Sequence, residues 1–153
     1  MVPDDRPRQA LILGLGGGTL ARLIQQRWGE EVPIVGVDDD AEMLSVATDL
    51  GWLPRHGLEV VVADAFEYVQ TCHARFDYVA VDLFRGEHLA GRAFGKPFLR
   101  RLRSVLLPHG RLAINLFSDM RMFDRLTRIN AFFVIRDQVG VGGNVIVHAH
   151  RRT

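Results

Sequence analysis

Glycines and carboxylates at the ends of apolar runs are the residues of this sequence best suited to chemistry. The segment Leu11-Ile-Leu-Gly-Leu-Gly-Gly-Gly-Thr-Leu20 ends an apolar run at a glycine turn, and a helical pattern over 19–28 follows at once. A strand, a glycine turn and a helix in this order present backbone N–H groups to a nucleotide-like ligand. Glycine suits the turn because it adopts positive φ and has no Cβ. The glycines concerned are Gly14, Gly16, Gly17 and Gly18.

A carboxylate ends the next apolar run. Val35-Gly-Val-Asp38 places an acid about twenty residues after the glycine turn, where it can accept hydrogen bonds from two ribose hydroxyls. Three adjacent acids repel one another, which is unusual in a purely structural turn. We expect Asp38 to bind ribose, Asp39 to lie near the adenosine edge and Asp40 to cap the next helix. Together the glycines and the acid predict an adenosine-containing cofactor.

The composition is that of one domain. The chain has 153 residues, 48% of them hydrophobic, and a formal net charge of +1. This length suits one core, so residues 1–153 are predicted to form a single domain. A charge near zero gives no general attraction to nucleic acid or to a membrane surface. No apolar stretch reaches the ~18 residues of a membrane-spanning helix, and the polar segment 1–6 is unlike a signal peptide.

Cysteine and histidine offer little further chemistry. Cys72 is the only cysteine, so no internal disulfide is expected and a cytoplasmic location is the simplest prediction. No surrounding pattern supports Cys72 as a catalytic thiol. His148 and His150 would share one face of a strand, but two ligands without a third do not predict a metal site.

Short apolar runs alternate with helical patterns along most of the chain. Asp40 and Asp64 are placed to cap helices, and Gly51 is placed to end one. The segment 83–95 contains three glycines and is predicted to be a loop. Serial β–α units imply a parallel sheet with helices on both faces. Strands are predicted over 10–15, 33–37, 58–63, 76–81 and 111–117, and helices over 19–28, 41–50, 65–70, 96–107 and 119–129, with a turn at 108–110.

The end of the chain predicts an antiparallel hairpin. Segments 132–138 and 144–150 have strand patterns, and the glycine-rich link over 140–143 is too short for a parallel crossover. An ordinary dinucleotide-binding domain would continue with parallel strands. The sequence therefore predicts an α/β fold with a doubly wound, mostly parallel seven-stranded sheet and a C-terminal antiparallel hairpin.

Four segments, in order, resemble the class I S-adenosylmethionine-dependent methyltransferase superfamily. Leu13-Gly-Leu-Gly-Gly-Gly18 resembles its glycine-rich first motif, which touches the methionine part of the cofactor. Asp38 matches the acid that holds the ribose hydroxyls. Ala63-Asp64-Ala65 resembles the third-strand motif, in which the acid side chain and the next backbone N–H bind adenine. Tyr78-Val-Ala-Val-Asp82 resembles the fourth-strand motif that faces the transferred group.

Within this superfamily the sequence is most similar to the spermidine synthase-like branch. The segments 59–69, 75–82 and 98–110 resemble its third strand and helix, its fourth strand, and the helix and turn before its fifth strand. The resemblance implies a Rossmann-like fold and, as cofactor, S-adenosylmethionine, its decarboxylated form or methylthioadenosine. The cofactor-binding residues that it implies are Gly14, Gly16, Gly17, Gly18, Asp38, Asp39, Asp64, Ala65 and Asp82.

Two departures argue against polyamine synthesis. Spermidine synthases carry Asp-Ser-Ser-Asp-Pro, or a near variant, where this chain has Asp82-Leu-Phe-Arg-Gly86. The first acid is matched by Asp82, but the second falls on Arg85, and an arginine there would repel an amine cation that carboxylates must hold. The chain also begins almost at the first strand, without the N-terminal β-structure that covers the substrate in those enzymes.

The leading hypothesis is a small methyltransferase-like transferase that acts on a small-molecule acceptor. Displacement at a sulfonium mainly needs alignment of acceptor and sulfur, and a base helps only if the acceptor must lose a proton. Asp82 is the only catalytic candidate, and a cofactor contact or a cap is its alternative role.

Two groups of residues have open roles. Arg85, Arg92, Arg100, Arg101 and Arg103 form either a basic face near the substrate or a solvated face, and Phe84, Phe94 and Phe98 line either an acceptor pocket or the core.

Three other functions stay open. One is aminopropyl transfer from decarboxylated S-adenosylmethionine, and another is a non-catalytic remnant that binds a partner. The third is a nicotinamide-cofactor domain, which is disfavoured by the terminal hairpin and by Thr19 where the dinucleotide fingerprint has Gly or Ala. The segment 83–95 is the available determinant of the acceptor. A homodimer is also open, because relatives in this branch usually assemble as dimers or larger.

Overall fold

A seven-stranded sheet with helices on both faces forms the body of the protein. The computed structural model describes residues 1–85, 88–89 and 91–152. The sheet contains β1 (Ala10–Leu13), β2 (Ile34–Asp38), β3 (Leu58–Val62), β4 (Phe76–Val81), β7 (Leu106–Phe117), β8 (Phe133–Val141) and β9 (Asn144–Arg151), while β5 (Phe84–Arg85) and β6 (His88–Leu89) form a separate short ladder. The helices are α1 (Thr19–Trp28), α2 (Ala41–Asp49), α3 (Ala65–Thr71), α4 (Lys96–Val105) and α5 (Met122–Asn130). None of the helices in these ranges is long and apolar enough to span a membrane.

The strand order confirms the predicted fold class. The order is β3-β2-β1-β4-β7-β9-β8, with β3, β2, β1, β4 and β7 parallel and β9 antiparallel to both of its neighbours. The chain builds outward from β1 in one direction and then resumes at β4 on its other side. The carboxyl ends of β1 and β4 therefore form a topological switch point, where open α/β sheets bind ligands.

The core explains why the first strand is a continuous apolar run. All four residues of β1 are fully buried, because helices cover both faces of the sheet. Leu11 and Leu13 belong to one buried cluster, and Ala10 and Ile12 to the other. Parallel strands covered on both faces have this composition rather than a polar–apolar alternation.

The fifth parallel strand begins earlier than predicted. Helix α4 ends at Val105, two residues before the predicted end. Pro108 contributes to this, because a proline ring disfavours helical backbone at the residue before it. Strand β7 begins at Leu106, and its register with β4 shifts between Phe76 and Tyr78. The predicted turn over 108–110 therefore lies within the strand as an irregularity, where His109 has a φ of +62°.

Other boundaries also differ from the prediction. The terminal link is a two-residue turn, since Val141 pairs with Asn144, and Gly142 supplies its positive φ of +59°. Helix α5 begins at Met122 because the Asp119 side chain accepts a hydrogen bond from the Arg121 N–H and holds a turn before it. The segment 83–95 contains the β5–β6 ladder and a 3₁₀ turn (Gly91–Phe94) instead of a plain loop.

The N-terminal segment 1–9 packs on one face of the sheet. The Tyr78 hydroxyl donates to the Met1 carbonyl, and burial raises the pKa of this tyrosine. The Trp28 indole N–H donates to the Pro3 carbonyl at 3.0 Å, and an Arg111 guanidinium nitrogen lies 3.0 Å from an Asp5 carboxylate oxygen. These contacts join the segment to α1, β4 and β7.

Candidate functional site

A cavity of about 320 Å³ opens at the carboxyl ends of β1, β2 and β4. This volume is in the range of small-molecule sites. Its wall contains eight of the nine candidate cofactor-binding residues, and Gly18 is the exception. The lining residues are Gly14, Leu15, Gly16, Gly17, Thr19, Leu20, Val37, Asp38, Asp39, Asp64, Ala65, Phe66, Asp82, Leu83 and Phe84.

The glycine turn brings two strand ends into close contact. Gly14 has a φ of +88°, and a Cβ added there would lie 2.2 Å from the carbonyl oxygen of Asp82. A side chain at this position would therefore collide with backbone. Gly18 has a φ of +77° and stands at the N-terminus of α1, where a Cβ would lie 2.5 Å from the Leu53 side chain. Glycine at 18 thus serves the packing of α1 instead of the cavity wall.

Asp38 joins the glycine turn to the start of α2. One carboxylate oxygen accepts the Gly16 N–H at 2.7 Å, and the other accepts the Asp40 N–H at 3.0 Å. The sequence did not predict this link. A carboxylate has about four acceptor positions, so the same group retains positions for two ribose hydroxyls.

The other two acids of the triplet differ in position. Asp40 accepts the Met43 N–H at 2.8 Å, which confirms the predicted helix cap. Asp39 lines the cavity. Asp40 is the cap because it directly precedes the helix, and a cap residue must turn its side chain back toward the first N–H groups of the helix.

Asp64 is confirmed as the cap of α3. One of its oxygens accepts the N–H groups of Phe66 at 2.8 Å and Glu67 at 3.0 Å. Its other oxygen lies 3.7 Å from an Arg92 guanidinium nitrogen. The Ala65 N–H is the first of the helix and has no acceptor within it. This edge of the cavity therefore offers a carboxylate oxygen and a backbone donor side by side.

Asp82 is held by a residue that the sequence reasoning missed. Its carboxylate accepts the Asn115 side-chain amide at 2.9 Å, and its backbone N–H donates to Leu13 at 2.8 Å. The Asn115 carbonyl oxygen is buried and has no partner within the described ranges. Asn115 does not line the cavity, so its link to the site is the hydrogen bond to Asp82. A polar residue within the apolar run 111–117 was the signal that could have identified Asn115.

The three candidate phenylalanines have different surroundings. Phe84 lines the cavity and contacts Phe117 edge-on, with ring centroids 4.8 Å apart. Phe94 and Phe98 are buried in the core. Of the predicted acceptor-pocket aromatics, Phe84 alone therefore lies on the cavity wall.

Three of the candidate arginines have different contacts. Arg101 donates to the carbonyls of Val69, Gln70 and Cys72, so its charge stabilises the C-terminus of α3. Arg103 donates to the Arg152 carbonyl at 3.0 Å. Arg92 lies beside the cavity, next to Asp64. The Arg85 side chain and Gly86 lie outside the described part of the chain.

Replacement of Arg101 by alanine is expected to lower the free energy of unfolding by about 1.5–3 kcal/mol, because three carbonyls lose a charged donor. Urea-induced unfolding measures the change. The neighbouring Arg100→Ala is the control, since Arg100 is exposed. Equal stability of the two variants would show that Arg101 does not cap α3.

Histidines and acids form no metal cluster within residues 1–85, 88–89 and 91–152, where no group of three or more potential ligands occurs. His150 accepts a hydrogen bond from the Arg136 side chain at 2.8 Å. Burial lowers the pKa of His148. Both histidines lie on β9, away from the cavity wall.

The strand order, the glycine turn and the acids at the strand ends define the class I S-adenosylmethionine-dependent methyltransferase fold. Human methyltransferase-like protein 13 in complex with SAH superimposes with a TM-score of 0.81 at 24% identity, over 95% of this chain and 72% of that one. Spermidine synthase in complex with the transition state analogue AdoDATO superimposes with a TM-score of 0.75 at 17% identity, over 96% of this chain and 56% of that one.

Sequence comparison identifies the family within this class. Residues 1–115 match the spermine/spermidine synthase domain, and the chain belongs to that family. Polyamine aminopropyltransferase of Chromobacterium violaceum is 30% identical over 98% of this chain. The chain spans 59% of the length of that relative.

Proposed function

We propose that this protein is a transferase that binds S-adenosylmethionine and passes its methyl group to a small-molecule acceptor. The observation that carries the proposal is the convergence of the glycine turn, Asp38, Asp64 with Ala65, and Asp82 on one cavity at the switch point of the sheet. The site suits the cofactor, because the glycine turn, the Asp38 carboxylate and Asp64 with the Ala65 N–H line one cavity and can face its methionine, ribose and adenine parts.

Each residue has a defined task in the proposed reaction. When bound, S-adenosylmethionine supplies an electrophilic methyl group on a sulfonium. Asp38 holds the ribose, and Asp64 with the Ala65 N–H holds the base. Gly14 allows the chain to pass close to Asp82, which keeps the reacting end of the site compact. Alignment of this kind supplies several kcal/mol of the barrier reduction.

Asp82 faces the acceptor in this proposal, and Asn115 acts through it. The hydrogen bond from Asn115 orients the carboxylate of Asp82. The Asp82 carboxylate, which lines the cavity, then accepts a hydrogen of an incoming nucleophile. Asp82 takes the proton that an acceptor such as a protonated amine must lose before its lone pair attacks.

Aminopropyl transfer is the second candidate. The cavity wall carries the carboxylates of Asp38, Asp39, Asp64 and Asp82, and no lysine or arginine lines it within the described ranges. Decarboxylated S-adenosylmethionine has lost its only negative charge, so an acidic wall favours it. The sequence opposes this candidate through Arg85, which replaces an acid that a polyamine would need.

Product analysis distinguishes these functions. The protein is incubated with either sulfonium compound and a set of amines that includes putrescine, and products are identified by mass spectrometry. A product with one added methyl group supports the proposal, and no spermidine is expected. Spermidine formation would establish aminopropyl transfer, while cofactor binding without any product would favour a partner-binding module.

Replacement of Asp82 by asparagine is expected to lower the turnover number by about 100-fold, since general-base assistance contributes at least this factor. Cofactor affinity should change by less than about threefold, because the neutral amide keeps the size of the side chain. Steady-state kinetics and calorimetry measure the two quantities. Unchanged turnover would remove Asp82 from the acceptor side of the reaction.

A further inference from the structure

Arg92 contacts two residues of the cavity wall without lining the cavity itself. Its guanidinium carbon lies 4.4 Å from the centroid of the Phe66 ring, and a guanidinium nitrogen lies 3.7 Å from an oxygen of Asp64. Both partners line the cofactor cavity. In the function proposed above, Asp64 binds the base of the cofactor, and Arg92 has no role.

Phe66 separates two cavities. The larger holds the candidate cofactor site, and an adjoining one of about 270 Å³ lies beyond the ring. Arg92 lines the adjoining cavity together with Phe66, so the guanidinium supports the ring from outside the cofactor site. A guanidinium over an aromatic face is attracted by the ring quadrupole.

The pair between Arg92 and Asp64 leaves an acceptor available. One Asp64 oxygen is used by the cap of α3. The other is 3.7 Å from Arg92, which exceeds hydrogen-bond distance. The attraction therefore fixes the direction of this oxygen while its lone pairs stay free for the N–H of a ligand.

Arg92 is presented by a packed turn. The 3₁₀ turn Gly91–Phe94 is anchored by Ala93 and Phe94, which are 2% and 4% exposed. The Gly95 N–H donates to the Arg92 carbonyl at 3.0 Å. The side chain itself is 69% exposed, so its contacts with Asp64 and Phe66 and not its burial determine its position.

We propose that Arg92 is a positioning residue that sets the base selectivity of the cofactor site. It directs the free Asp64 oxygen into the cavity and holds the Phe66 ring against the base. A carboxylate in this orientation accepts from an exocyclic amine and repels an exocyclic carbonyl, so the site prefers adenine to hypoxanthine. This inference rests on the proposed function, because it assumes that the cavity takes an adenosine-containing cofactor.

Binding of S-adenosylhomocysteine and S-inosylhomocysteine tests the inference. Calorimetry is done on the whole chain, on Arg92→Ala and Arg92→Lys, and on Arg75→Ala as a control with the same charge change at an exposed position before β4. Arg92→Ala is expected to weaken binding of the adenine compound by about 5–10-fold, because the Asp64 oxygen and the Phe66 ring are no longer held in the orientation that binds the base.

The ratio of the two affinities separates positioning from a general structural effect. We expect the preference for the adenine compound to fall by about threefold or more in Arg92→Ala, to recover in part in Arg92→Lys and to stay unchanged in Arg75→Ala. Lysine restores the charge near Asp64 but cannot stack as a planar group. The melting temperature of Arg92→Ala should fall by no more than about 2–4 °C, because an exposed ion pair and an exposed cation–π contact contribute little stability.

Other outcomes overturn the inference in distinguishable ways. Equal weakening of both compounds, unchanged binding or tighter binding in Arg92→Ala would each remove Arg92 from base recognition while leaving the proposed cofactor in place. Failure of the unmodified chain to bind either compound would overturn the proposed function and this inference together.

Discussion

Replacement of Asp38 by alanine is expected to weaken binding of S-adenosylhomocysteine by at least about 100-fold. Two ribose hydroxyls lose a charged acceptor, and each such hydrogen bond contributes about 1.5–3 kcal/mol. The Gly16 N–H also loses its partner at 2.7 Å, so the glycine turn loses one of its hydrogen bonds to β2. Both effects act in the same direction. Isothermal calorimetry measures the loss directly.

Two further variants make the Asp38 result specific. Asp38→Asn keeps one acceptor oxygen and should bind with intermediate affinity. Asp49→Ala removes an exposed acid at the end of α2 and should bind like the unmodified protein. Affinity of Asp38→Ala within about threefold of the parent, well below the value of one charged hydrogen bond, would contradict the ribose assignment.

Replacement of Gly14 by alanine is expected to lower the free energy of unfolding by about 2–5 kcal/mol, the sum of backbone strain and overpacking. The backbone φ is +88°, and the new Cβ would lie 2.2 Å from the Asp82 carbonyl oxygen. The strand ends must therefore separate, which displaces Asp82. Urea-induced unfolding gives the stability change, and cofactor affinity should fall with it.

Gly51→Ala is the matched control for this substitution. Gly51 follows α2 with a φ of +65°, and a Cβ there would have no heavy atom within 4 Å. Only the strain of the left-handed backbone applies, about 1–2 kcal/mol, and cofactor affinity should not change. If both alanine variants lost the same free energy of unfolding, the close approach of Gly14 to Asp82 would not contribute to the stability loss.

The fold could be predicted because its signals are local. Strand β1 is apolar throughout, since both of its faces are covered, and the limits of α1 and β4 are those expected from the sequence. Asp40 and Asp64 were recognised as caps because a cap and its N–H groups lie within three residues. The hairpin followed from the length of its link, which depends on covalent geometry alone.

Contacts between distant segments could not be predicted in this way. The tie from Asn115 to Asp82 spans two strands that are neighbours only because the chain returns to the other side of β1. The cap of α3 by Arg101 joins residues about thirty positions apart. Arg101 was grouped with other arginines by sequence, whereas Arg92, Arg101 and Arg103 have different partners in the structure.

The irregular start of β7 had a different cause. Two signals were in conflict, because the apolar spacing of α4 continued to Leu107 while Pro108 disfavoured helical backbone before it. In the structure, Leu106 pairs with Phe76 in the sheet and is therefore the first residue of β7. Periodicity alone cannot weigh a backbone restriction against a tertiary pairing, so such boundaries are the weakest part of a sequence-based prediction.

The most direct test of the account is a thermal shift titration of the unmodified protein. The ligands are S-adenosylmethionine, its decarboxylated form, methylthioadenosine and NAD. A ligand at a hundred times its dissociation constant stabilises the fold by about 2.7 kcal/mol, which raises the melting temperature by several degrees. The account predicts shifts with the sulfonium and thioadenosine compounds and none with NAD. No shift with any sulfonium compound, or a shift with NAD alone, would contradict it.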